Sequence, residues 1–252
     1  MILLCNDDGF NADGLRTLYR ELSKEDEVII VAPETEQSAM GHAITLTQPL
    51  KVRKVEEEGR FMGYAVNGTP ADCVKLAIAV LLDEPPRLVV SGINLGGNLG
   101  ICALYSGTVS AATEAMIMGV PSIAVSLEYD DHADFTRAAQ MARQIIEQVL
   151  AQKSQEPQLY NLNIPTRAIR NPIGIRVVPM GVARYGEQFV RCKDPKGRTY
   201  YWATDEPAPQ PGPTPTDLTA LTEGFITLTP LDYNLTKPDQ LSAMNDWKFE
   251  LA

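Results

Sequence analysis

The chain has 252 residues and a formal charge of −10, with 44% hydrophobic and 21% charged residues, four cysteines and two histidines. That length suffices for one large α/β unit with a buried core, and the acidic balance excludes a nucleic acid polymer as partner, because such binding depends on clustered Lys and Arg. No apolar run reaches the roughly 18 residues of a membrane span, and MILLCNDDGF lacks the basic flank of a signal peptide. Scattered cysteines with no CxxC pair point to reduced thiols in a cytoplasm, with no membrane partner.

Residues 1–6 are apolar without alternation, which predicts a strand buried on both faces of a parallel sheet. Leu15, Leu18, Tyr19 and Leu22 then recur at helical spacing, with Asn11 or Asp13 as the expected cap. Residues 27–33 predict a second strand. The result is a βαβ unit whose first loop carries Asp7 and Asp8 at the carboxyl end of strand one, the edge where open α/β sheets bind ligands.

Residues 43–66 alternate around the acidic turn Glu56-Glu57-Glu58-Gly59 and predict a β-hairpin excursion from the main sheet. Thr69, Pro70 and Asp72 spell a capped helix start, and residues 87–91 a third strand. A turn-rich segment follows, with Ser91, Gly92, Asn94, Gly96, Gly97, Asn98 and Gly100, then a helix opening near residues 105–108. Further strands at 122–127, 160–164 and 173–178 and a helix over 132–153 predict a Rossmann-like, doubly wound, mostly parallel sheet.

The tail has another character. Strand-like segments on either side of Asp194-Pro195-Lys196-Gly197 predict a hairpin within residues 185–204, residues 207–216 are proline-rich, and a strand at 224–231 and a helix from about Pro238 complete the chain. The expected division is a catalytic core at residues 1–180 and an oligomerisation arm at 181–252. An aromatic hairpin is marginal alone in water, so Tyr200, Tyr201 and Trp202 are expected to pack against another subunit.

The chemistry concentrates at two places. Asp7 and Asp8 either cap a helix or hold a cation, since adjacent carboxylates repel and both stay ionised most readily beside positive charge. Ser38 and Asn94 leave the second and third strands at the same edge, so three loops converge on an all-oxygen donor set suited to Mg²⁺, Mn²⁺ or Ca²⁺. The second place is the glycine segment with Ser106, Gly107 and Thr108, where strand, loop and helix start leave N–H groups for an anion; helix capping uses the same groups. No Lys or Arg lies between Ser91 and Gly119, so a phosphate there needs its charge balanced from elsewhere. Neither GxxxxGK[ST] nor GxGxxG is present. With only His42 and His132, a histidine-dependent triad is disfavoured.

The motifs NDDG at residues 6–9, QSAMGHAIT at 37–45, NGTPADCV at 67–74, SGINLGGNLG at 91–100, YSGTVSAATEA at 105–115 and NIP at 163–165 stand in one order across most of the chain, with TD and TPL near Thr216 and Pro230. Together they resemble the SurE family of stationary-phase survival phosphatases, with one departure: Ala115 stands where that family usually has glycine. The resemblance implies a metal-dependent hydrolase of nucleoside 5′- and often 3′-monophosphates, one divalent cation per subunit, and a homodimer or homotetramer exchanging its C-terminal portion. It carries the metal ligands onto Asp7, Asp8, Ser38 and Asn94, with Asp7, Asp8 and Asn94 catalytic, and the phosphate contacts onto Ser106, Gly107 and Thr108, with Asn98 in the same loop. Water attack and an aspartyl nucleophile both remain open. The alternative from another class is a nucleotide-binding regulatory module that uses the same crevice without turnover.

Overall fold

The computed structural model describes residues 1–152, 154, 156–182, 188–204 and 214–249. Its main sheet has nine strands in the order β3-β4-β2-β1-β5-β6-β7-β11-β8: β1 Ile2–Cys5, β2 Val28–Pro33, β3 Val52–Glu57, β4 Arg60–Val66, β5 Leu88–Leu95, β6 Ser122–Leu127, β7 Leu159–Ile164, β8 Ile175–Val177 and β11 Ile226–Leu231. Strands β4, β2, β1, β5, β6 and β7 run parallel, while β3 and β11 are antiparallel to their neighbours β4 and β7. The continuous apolar runs of the sequence are explained by this placement, for β1 and β6 are buried throughout.

Two pairs of helices cover the sheet. On one face α1, Asp13–Leu22, packs with α4, Phe135–Leu150, through Leu15, Leu18 and Leu22 against Ala138, Ala142, Ile145 and Ile146. On the other, α2, Pro70–Leu76, packs with α3, Gly107–Ile117, through Cys73, Val74, Ala111 and Ala115. Ala115 is fully buried there, so the departure from glycine is filled by core packing. Chain order reverses at β1, which lies between β2 and β5, and the carboxyl ends of the strands at such a reversal are where open α/β sheets bind ligands.

Several expectations shift. The β3–β4 hairpin is present, but β4 pairs in parallel with β2, so the hairpin forms an edge of the sheet. Its first half, residues 43–51, is not strand: Ala43 and Thr45 bond instead to the side chains of Thr69 and Asp72 at the α2 start. Strand β5 extends past Ser91 to Leu95, because after a bulge Asn94 and Leu95 resume pairing with Ser126 and Leu127. At that bulge a Cβ on Gly92 would stand 2.2 Å from Val125 O, which dictates glycine. Neither Asn11 nor Asp13 caps α1; the cap position is Ala12, without a side-chain bond.

The capping box of Thr69 and Asp72 is as expected. Two short helices were not foreseen, α5 at Thr166–Arg170 and α6 at Asp217–Thr222. Segment 181–252 is of two kinds. Strand β11 completes the core sheet between β7 and β8, whereas β9, Gln188–Lys193, and β10, Thr199–Thr204, form a separate two-stranded sheet. Helix α7, Pro238–Met244, buries none of its residues. Residues 185–187 of the expected hairpin and 207–213 of the proline-rich stretch lie outside the described residues. Among the described residues no helix is long and apolar enough to cross a membrane.

Candidate metal and phosphate site

The loop after β1 builds itself. Asn6 Nδ2 donates to Gly9 O at 3.1 Å while Gly9 N donates to Asn6 Oδ1 at 3.2 Å, and Gly9 adopts φ +103° to close the turn. This leaves Asp7 and Asp8 at its tip. Phe10 N and Gln37 N then tie the loop to the end of β2, donating to Pro33 O at 2.8 Å and Asp7 O at 2.7 Å.

Asp7 is 4% exposed and lies against the first residue of α3. A Cβ on Gly107 would approach Asp7 Cβ to 2.7 Å and Asp7 Oδ2 to 3.0 Å, so glycine there is what lets the carboxylate reach the helix start. The Thr108 hydroxyl donates to Asp7 Oδ1. Burial nevertheless raises the Asp7 carboxyl above its ordinary value, opposed by the bonds from Thr108. Asp8, half-buried beside it, is pushed from the ordinary 3.8 to about 6, first by burial and then by the charges of Asp7 and Glu36. Asp7 is thus withdrawn from bulk water and Asp8 partly so, and both resist ionisation.

Ser38 is exposed, and its hydroxyl donates to Glu36 Oε1 at 2.7 Å. The bond from Gln37 to Asp7 places this serine within one residue of the β1 loop. Asn94 is half-buried, and its Nδ2 donates to Gly96 O at 2.7 Å, which fixes the amide and leaves Oδ1 as its acceptor. Since Cys5 pairs with Ser91 across β1 and β5, Asp8 and Asn94 each stand three residues beyond a shared rung.

The glycine segment is held from beneath by residues far away in sequence. Asn98 N donates to Asn163 Oδ1 at 2.8 Å, Asn98 Nδ2 to Ser126 Oγ at 2.8 Å, and Asn98 O accepts from Asn161 Nδ2 at 2.7 Å. Gly100 N donates to Asp217 Oδ2 at 2.8 Å, while Asp217 Oδ1 accepts from Gly181 N at the same distance. Ser106 caps α3, its hydroxyl accepting from Val109 N at 3.1 Å. Ser106, Gly107 and Thr108 therefore meet Asp7 at one helix start. Thr108 is fully buried and faces Asp7 with its hydroxyl.

Sequence reasoning missed Glu36, whose charge raises both aspartates. Its signal was an acidic residue two places before Ser38 in a loop already assigned to the site. It also missed Asn161, Asn163 and Asp217 as supports of the glycine segment, although NIP and TD marked two of them. Among the described residues no group of three or more His, Cys, Asp or Glu is placed to hold a metal. A cation would have to be shared between the carboxylate pair and neutral oxygens. That donor set fits a hard divalent ion, which two desolvated neighbouring carboxylates attract.

Comparison with known proteins identifies the family. A family profile described as "Survival protein SurE" matches residues 2–187. A protein of Rhodopirellula baltica named 5′-nucleotidase SurE is 50% identical over 247 residues, covering 98% of each chain. One of the same name from Syntrophus aciditrophicus is 47% identical over 243 residues, covering 96% of this chain and 91% of the relative. The crystal structure of the SurE protein from Aquifex aeolicus superposes with a TM-score of 0.85 at 37% identity, covering 97% of this chain and 98% of that one. Profile, relatives and superposed structure converge on one conclusion: the chain belongs to the SurE family.

Proposed function

We propose that this chain is a metal-dependent 5′-nucleotidase that hydrolyses nucleoside monophosphates to nucleoside and phosphate. The observation that carries the reading is the contact between Asp7 and the first residues of α3, which joins an acidic pair to a helix start suited to an anion. The relatives' shared name supports the substrate class.

A divalent cation, Mg²⁺, Mn²⁺ or Ca²⁺, would be held by Asp7, Asp8, Ser38 and Asn94 and would withdraw charge from the phosphoryl oxygens. The chain's own residues do the rest. Thr108 fixes the orientation of Asp7. Ser106, Gly107 and the segment anchored by Asn98 form the wall that receives the phosphate, offering N–H groups with no helical partner. Asp8, the less buried carboxylate, would orient the attacking water.

The exposed Tyr201 and Trp202 of β10 support assembly into a homodimer or homotetramer through the tail. Four unpaired cysteines support a cytoplasmic location.

Phosphate release from AMP and GMP tests the reading. Activity should vanish in EDTA and return with Mn²⁺ or Mg²⁺. Full turnover in EDTA overturns the metal's role, and nucleotide binding without turnover under any metal would leave a regulatory module. Single-turnover hydrolysis in ¹⁸O water should place label in phosphate; label first in an aspartate would overturn direct water attack.

A further inference from the structure

The loop between β2 and β3 is fastened just beyond Ser38. Gly41 N donates to Tyr105 O at 2.9 Å, immediately before the α3 cap. Ala43 O accepts from Thr69 Oγ1 at 2.7 Å, and Thr45 donates through N and Oγ1 to the Asp72 carboxylate at 2.9 and 2.6 Å. A fourth tether differs from these in being an ionisable pair reaching well into α3: His42 Nε2 lies 2.8 Å from Glu114 Oε2.

Glu114 is 3% exposed, and its other oxygen lies 2.5 Å from Lys75 Nζ of α2. The His42 bond, with Lys75 behind it, holds this carboxyl below its ordinary value in spite of burial. As a stability device a buried carboxylate is poor, because desolvation cancels most of what pairing returns and an apolar side chain would fill the space as well. Its placement suits another purpose. One end of the contact is in the loop that carries Glu36 and Ser38, and the other is in the helix whose first residues touch Asp7.

We propose that His42 and Glu114 are positioning residues that lock the Ser38 loop onto α3, fixing the distance between the cation-binding side of the crevice and its phosphate-binding side. This rests on the metal site proposed above. Neither residue touches the reacting groups; the pair sets where Ser38 stands relative to Asp7 and Asp8.

The test measures binding of Mn²⁺ alone to the full chain by isothermal titration calorimetry, with thermal melting alongside. His42→Ala should weaken Mn²⁺ binding about tenfold, the lower end of the range for residues that orient metal ligands, while the melting temperature stays near wild type. His42→Gln, whose amide nitrogen reaches where Nε2 stood, should restore most of the affinity. Lys75→Ala removes the other partner of Glu114 without freeing the loop and should bind Mn²⁺ as wild type does. Unchanged Mn²⁺ affinity in His42→Ala overturns the proposal. So does an equal loss in Lys75→Ala, or a loss that follows a fall in melting temperature in both His42 variants. A wild-type chain that binds no Mn²⁺, or an Asp8→Ala chain that binds it normally, overturns the metal site itself, a failure distinguishable from the first.

Discussion

The two walls of the crevice are built differently. On the wall formed by the glycine segment and α3, Asn98, Ser106, Thr108 and Asp217 each have a partner at hydrogen-bond distance, and the groups are neutral or, like Asp217, accept two or more N–H bonds. On the wall formed by the β1 and β2 loops, Asp7, Asp8 and Glu36 repel one another, and no cationic side chain among the described residues pairs with any of them. The first wall is settled in the fold as it stands. The second carries like charges with no cationic partner among the described side chains. Under the proposed function, substrate anion and cation belong to opposite walls, and a bound cation would let a protein of charge −10 accept a phosphomonoester.

The contrast breaks most sharply at Asp8. Replacing it with Asn should lower phosphate release about a thousandfold, the scale set by several kcal/mol of charge stabilisation from a bound ion. It should leave the melting temperature of the metal-free protein equal or higher, because a repelled charge is removed. Retained turnover, or a marked loss of stability, would dissolve the distinction between the walls.

Asp217→Ala tests the opposite wall. It strands the buried N–H groups of Gly100 and Gly181, and urea unfolding should show a loss of about 3 kcal/mol, from about 1–3 kcal/mol for each unsatisfied donor. Asp217→Asn should lose less, since one acceptor remains. A variant as stable as wild type would mean that the segment does not depend on this anchor.

A smaller effect is expected from pH. The Asp8 carboxyl is raised from 3.8 to about 6, so the folded metal-free chain holds a proton that the unfolded chain releases between those values. The associated stability is fully present below the ordinary value and is lost as pH rises through about 6. Metal-free protein should therefore melt higher at pH 5 than at pH 7, and Asp8→Asn should flatten that difference. Carbon-detected NMR of the aspartate carboxyls would show the titration directly; a midpoint near the ordinary value would indicate that the acidic wall is relaxed.

The separate β9–β10 hairpin should leave the contrast untouched. Trp202 is 64% exposed, and Trp202→Ser should alter stability by no more than about 0.5 kcal/mol, as is usual at exposed positions. It should weaken self-association in light scattering. A drop in the activity of the dissociated chain would extend the site into the tail.

Most of the fold was legible because its signals are local. Unalternating runs such as VIIVAP belong to doubly covered parallel strands, and Thr69-Pro70 with Asp72 gives a capping box wherever the chain folds. The misread segments are those whose partners lie elsewhere. Residues 43–51 alternate as a strand would, yet Thr69 and Asp72 take bonding groups of Ala43 and Thr45. Strand β5 regains its ladder only because β6 lies beside the bulge. Helix α6, six residues in a proline-flanked tail, has too short a period to announce itself.

By itself the sequence determined the order of the parallel strands and of the four helices that cover them, the acidic pair at the end of the first strand, the glycine segment ahead of a capped helix, and the family. These are properties of neighbouring residues, fixed by side-chain period, turn chemistry and motif order. Tertiary structure alone decided which groups meet: Gly107 against Asp7, Glu36 beside both aspartates, Asp217 beneath Gly100, and His42 on Glu114. Charge and desolvation act through space over a few ångströms, and the residues concerned are up to 117 positions apart along the chain. Packing of the helix pairs on the two faces of the sheet is what brings them together.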